Sequence, residues 1–161
     1  MLAVPTRVTT SIMLIFLDFD GVLRRKQSPL YRLDVDCLHV FENAVRMLPG
    51  AQIVITSSWR EAFSLAEMRR LFSSDIAERI VGVTPSEWSR EDQYRYREVL
   101  SFLKRNGHAS SRWIALDDEA FHYPPGFDNL VLVDGSRGFD AEAAERMLIR
   151  TTNPVPRRNS Q

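Results

Sequence analysis

Residues 12–17, IMLIFL, form an unbroken apolar run that stops at two aspartates separated by one phenylalanine. Without polar alternation, such a run reads as a strand over residues 12–18 that is covered on both faces, as in a parallel sheet. The pattern then turns helical. Leu38, Val40, Phe41, Ala44, Val45 and Leu48 form an apolar stripe, Asp34 or Asp36 can cap it, and Pro49-Gly50 ends it. Residues 51–56, AQIVIT, are short, β-branched and followed by two serines, which predicts a second strand. A helix follows over about 60–72, with Phe63, Leu65, Ala66, Met68 and Leu71 as its apolar positions, and a third strand over 79–84 closes at Pro85. After the polar loop 86–93, a long helix is expected over about 93–105, with Asn106-Gly107 as a left-handed C-cap. A fourth strand at 112–117, the turn-rich FHYPPGFDN, a fifth strand at 130–134 and a helix at 141–150 complete the pattern.

Strands alternating with helices at this spacing imply an α/β fold. We expect a Rossmann-like three-layer sandwich around a central, mostly parallel five-stranded sheet, joined by right-handed crossovers. The domain is expected over 12–150, with 1–11 as an N-terminal lead and the proline-containing 151–161 as a disordered or surface-draped tail. A length of 161 residues suits one domain with a single core. Composition adds exclusions. Apolar residues at 44% and charged residues at 26% rule out a disordered or fibrous chain. Zero net charge gives no global pull towards nucleic acid or an anionic membrane, which leaves local patches to decide. The basic residues are nearly all arginine, a bias that suits bidentate anion recognition. A single cysteine, Cys37, excludes an internal disulfide and a multi-cysteine zinc site, and makes the cytoplasm the expected compartment. The apolar run 12–17 is too short to span a bilayer, and the lead lacks the features of a signal peptide, so no membrane association is expected.

In parallel α/β sheets, ligands bind beyond the carboxyl ends of the strands. There the sequence places Asp18 and Asp20 after the first strand, Thr56 and Ser57 after the second, and Asp117 and Asp118 after the fourth. Four carboxylates in one crevice repel one another, so either several are protonated or a divalent cation binds among them. Carboxylates, backbone carbonyls and water are the ligand set of Mg²⁺. Trp59 and Arg60 suit base and phosphate recognition, with packing of Trp59 at a helix start as the plainer alternative. Arg24, Arg25, Lys26 and Arg32 read either as a solvated loop or as a grip on a polyanion. His39, His108 and His122 share no metal-ligand spacing, so surface or local structural roles are expected for them.

LDFDGVL resembles the first motif of the haloacid dehalogenase (HAD) superfamily, IVITSSWR its second and WIALDDE its fourth. Over about residues 12–150 the combination is similar to the HAD-type domain of Swiss Army Knife RNA repair proteins. The resemblance implies a phosphatase that acts through an aspartyl-phosphate. It makes Asp18 the nucleophile and Asp20 the general acid and base, a residue that favours phosphatase or phosphotransferase over dehalogenase chemistry. Thr56, or Ser57 one residue on, becomes the hydroxyl that holds a phosphoryl oxygen. The implied Mg²⁺ shell is Asp18, the backbone carbonyl of Asp20, and Asp117, with Asp118 binding through water or orienting its neighbour. The third motif departs from the family pattern. No lysine lies in residues 85–103, so the phosphate-binding cation is Arg90, Arg95 or Arg97; Arg95, four residues before Val99 at the start of the amphipathic helix, is favoured. The spacings leave no room for an inserted cap domain, so a capless, open site is expected, suited to a large substrate such as a phosphorylated RNA or DNA end. Two other classes compete: a catalytically inactive scaffold of the same fold, although no residue the chemistry needs is missing, and a receiver-like phospho-signalling module, for which the late lysine is lacking.

Overall fold

Met13–Leu17 (β1) carries apolar side chains to both sides and becomes the middle strand of the sheet. The computed structural model describes residues 12–86 and 91–152. Around β1 lie Gln52–Ile55 (β2), Ile80–Val83 (β3), Arg112–Asp117 (β4) and Leu130–Leu132 (β5), in the order β3-β2-β1-β4-β5. Every strand pairing is parallel, so the sheet of this three-layer α/β sandwich is wholly rather than mostly parallel. The helices are Val35–Arg46 (α1), Leu65–Arg69 (α2), Ser74–Ala77 (α3), Tyr94–Arg105 (α4) and Ala141–Thr152 (α5).

Alternation along the strands feeds two cores. Ile15, Leu17, Ile53 and Ile55 pack with Phe41 and Val45 of α1, Met68 of α2, Ile76 of α3 and Met147 of α5. Leu14, Phe16, Val54 and Ala115 face the other way, against Val99, Phe102 and Leu103 of α4. Phe16 is fully buried and meets Phe102 and Trp113 edge-on, at 5.8 and 5.5 Å between ring centres. Burying a ring of this size stabilises the fold by about 1.5–3 kcal/mol.

The helix expected over 60–72 is broken into pieces. A 3-10 turn, Ser58–Glu61, is capped by Ser57, and α2 starts afresh at Ser64, whose side chain accepts from Glu67 N while the Glu67 carboxylate accepts from Ser64 N. That reciprocal capping box specifies a helix start, and it overrides the apolar spacing that suggested continuity. At the other end, α5 continues to Thr152 with Thr151 buried, two residues beyond the expected domain limit. The lead 1–11 and the rest of the expected tail lie outside the described residues, as do Trp88 and Arg90. Among the described residues no helix is long and apolar enough to cross a membrane.

Candidate active site

β1, β2 and β4 end in step. Leu17 lies opposite Ile55 on one side and Leu116 on the other, so the residues that follow, Asp18, Thr56 and Asp117, stand side by side at the carboxyl edge of the sheet. Backbone bonds pin this row: Asp18 N donates to Leu116 O at 3.1 Å, and Thr56 N donates to Leu17 O at 2.9 Å. The carboxylates of Asp18, Asp117 and Asp118 each bring an oxygen to within 4.8 Å of the others. Gly21 lets the chain leave β1 over this cluster: it has φ +80°, and a Cβ there would fall 2.1 Å from Asp118 Oδ2.

Burial, then the charge of Asp117, pushes Asp18 well above the ordinary aspartate value, while Arg95 pulls in the opposite direction. Burial likewise raises Asp118, against the pull of Lys26, whose Nζ lies 3.2 Å from Asp118 Oδ2. Three hard oxygen donors, two of them nearly inaccessible to water, fit Mg²⁺, and a bound dication would reverse the mutual repulsion.

The arginine candidates separate by position. Arg95 is 4% exposed; burial works against its charge, but Asp18, Tyr94, Glu98 and Asp117 together outweigh it and hold its pKa high. Arg97 points to solvent and pairs with Glu91 at 3.3 Å. The two hydroxyls separate as well. Ser57 Oγ accepts from Trp59 N as a helix cap, whereas Thr56 Oγ1 is buried with no hydrogen-bond partner among the described residues. Arg95 Nε is buried and unpartnered in the same sense. Two such atoms near the Asp18 carboxylate suit an anionic ligand.

Arg60 is a residue for which contact with substrate is expected from the sequence. Its guanidinium is turned inward, donating to the backbone carbonyls of Thr56 and Ser57 and to Glu98 Oε1 at 2.8 Å. The other oxygen of Glu98 accepts from Arg95 at 3.2 Å. One buried carboxylate therefore ties the loop carrying Thr56 to the helix carrying Arg95. The carboxylate of Asp20 also stands apart from the three-aspartate cluster; it accepts from Arg24 Nε at 2.6 Å and from Trp59 Nε1 at 3.0 Å, with its side chain 38% exposed. The basic run is largely committed to such pairs: Arg24 to Asp20, Arg25 to Asp34 and Asp36, Lys26 to Asp118 and Glu119.

Sequence reasoning missed two residues. His122, for which a surface or local structural role is expected, is buried with Nδ1 2.9 Å from Asp117 Oδ2, where it orients a carboxylate of the cluster. Its only sequence signal is its place five residues after Asp117. Glu98 left a clearer trace. Arg95, Glu98, Val99 and Phe102 share one face of α4, so two charges lie on the buried stripe where apolar residues belong. Beside the cluster, a cleft of about 550 Å³ opens from Asp118 towards Asp134, Arg137 and Arg146.

The family model for the HAD domain in Swiss Army Knife RNA repair proteins matches residues 14–144, a span that holds every residue of this site. Comparison with curated proteins and with solved structures gives no match.

Proposed function

We propose that this chain, which belongs to the family of HAD domains in Swiss Army Knife RNA repair proteins, is a Mg²⁺-dependent phosphohydrolase that removes a phosphate from a nucleic-acid end. The observation that carries the reading is the buried Asp18 carboxylate flanked by Asp117, Asp118 and the guanidinium of Arg95. Asp18 attacks phosphorus, forming an aspartyl-phosphate as the bond to the leaving oxygen breaks. Asp20 gives its proton to that oxygen; in the second half it takes a proton from the water that displaces phosphate from Asp18. Thr56 Oγ1 and Arg95 hold the phosphoryl oxygens and meet the charge that develops on them. Asp18, Asp117 and Asp118, with the Asp20 carbonyl, would hold Mg²⁺, which supplies neutralising charge when bound.

The substrate follows from access. Among the described residues, 18–34, 84–86 and 91–93 carry no inserted domain, which supports an open approach to the phosphate. A polynucleotide end can reach such a site, and the family's occurrence in RNA repair proteins supports that choice. A cytoplasmic location belongs to the same reading. The test is phosphate release from 3′- and 5′-phosphorylated oligonucleotides with Mg²⁺ or with EDTA. We expect release with Mg²⁺ alone and a loss of about three orders of magnitude or more in Asp18→Asn; unchanged release in that variant would overturn the assignment.

A further inference from the structure

The loop between β1 and α1 carries Leu30, 73% exposed, and Tyr31, 55% exposed, at its tip, followed by the exposed Arg32. Tyr31 has φ +56°, a left-handed conformation that a tyrosine adopts at an energetic cost. Burial does not explain that cost, because more than half of the residue stays in solvent. Two edge-on contacts hold it: to Trp59 at 5.4 Å and 73°, and to Phe63 at 5.3 Å and 74°. Trp59 is itself buried and bonded through Nε1 to Asp20. One ring therefore separates Tyr31 from the carboxylate that the proposed function assigns to the leaving group.

The loop is also pinned on both sides of its tip. Arg24 Nη1 donates to Ser28 O at 2.6 Å, Arg25 N to Asp34 Oδ2 at 2.7 Å and Lys26 N to Gly135 O at 2.9 Å; Ser28 Oγ donates to Asp34. A pinned loop can present an exposed ring with little further ordering on binding. Arg32 has no ion pair among the described residues, unlike Arg24, Arg25 and Lys26.

We propose that Tyr31 is a stacking platform for the base of the terminal nucleotide of a single-stranded polynucleotide, with Arg32 beside it for the strand's backbone phosphate. The inference rests on the proposed function. Whatever is esterified to the oxygen that Asp20 protonates must lie on the open side of Asp20, where the aromatic trio begins. A nucleobase has the flat, apolar face that Tyr31 can meet, and stacking tolerates any base.

The test compares kcat/KM for a phosphorylated oligonucleotide with that for the same strand carrying an abasic terminal nucleotide. Wild type should favour the base-bearing strand, and Tyr31→Ala should lower that ratio about tenfold, through KM, the weight of one stacked base. Tyr31→Gly, which fits the positive φ and loses the ring, should lower it equally, and Tyr31→Phe should restore it. In a parallel binding measurement with Asp18→Asn, a terminal 2-aminopurine should be quenched with Tyr31 present and not with alanine there. An equal ratio in wild type and both ring-less variants overturns the inference. A protein that releases phosphate from a small ester but treats the two strands alike loses the platform and keeps the phosphohydrolase; one that releases phosphate from no ester loses both.

Discussion

Asp18 is held where its charge is least welcome: 4% exposed, in a row with Asp117 and near Asp118. Its proton affinity is raised by burial first and by Asp117 second. The folded state therefore keeps a proton on Asp18 at pH values where the unfolded chain, near 3.8, has released it. Stability falls as pH rises through that window and stays reduced above it. Asp18→Asn cannot ionise, so in EDTA it should melt at a higher temperature than wild type at pH 7.5, with the gap closing as pH is lowered towards 4. Thermal denaturation at both pH values checks this; a variant melting below wild type at pH 7.5 would contradict it. At this scale the sequence was informative where chemistry sits next to a strand end. Asp18, Thr56 and Asp117 could be placed because strand ends converge in parallel sheets. His122 could not, since its contact with Asp117 depends on how the turn after β4 folds back.

The elements divide in the same way. β1, β2 and β4 were readable because their apolar runs are too short for a helix and end at polar residues, and β4 spans 112–117 as expected. The 58–77 segment was not, because Phe63, Leu65, Met68 and Leu71 have helical spacing while Ser57 and Ser64 each cap a new start. α4 combines both cases: its apolar stripe announced the helix, and the charges within that stripe are its contribution to the site. Glu98 is 1% exposed and shared by Arg60 and Arg95, so Glu98→Ala strands two buried guanidiniums and should cost about 3–5 kcal/mol in urea denaturation. Glu98→Gln keeps the shape and one oxygen. It should retain most of the stability while kcat falls about tenfold, because Arg95 loses its charged anchor; equal kcat in wild type and the glutamine variant would show that Glu98 does not position Arg95.

For the molecule as a whole, topology makes the site. With β1 at the centre of the order β3-β2-β1-β4-β5, its carboxyl end is flanked on both sides by strands that stop in register, so three loops supply groups to one point. The two cores hold that edge rigid from below, on the face of α1 and α5 and on the face of α4. The fold class and the acidic cluster were legible from alternation and from strand-end residues. The Arg60–Glu98–Arg95 connection was not, because it joins residues 38 positions apart through a contact that only the packing of α4 on the sheet creates. In the proposed mechanism Asp18 carries the phosphoryl group during turnover. Acid-quenching the protein with a radiolabelled phosphorylated oligonucleotide and Mg²⁺ within one turnover tests it directly. We expect a label on the protein that hydroxylamine releases and that Asp18→Asn lacks; phosphate release with no labelled protein, or equal labelling of the variant, would rule out Asp18 as the phosphoryl carrier.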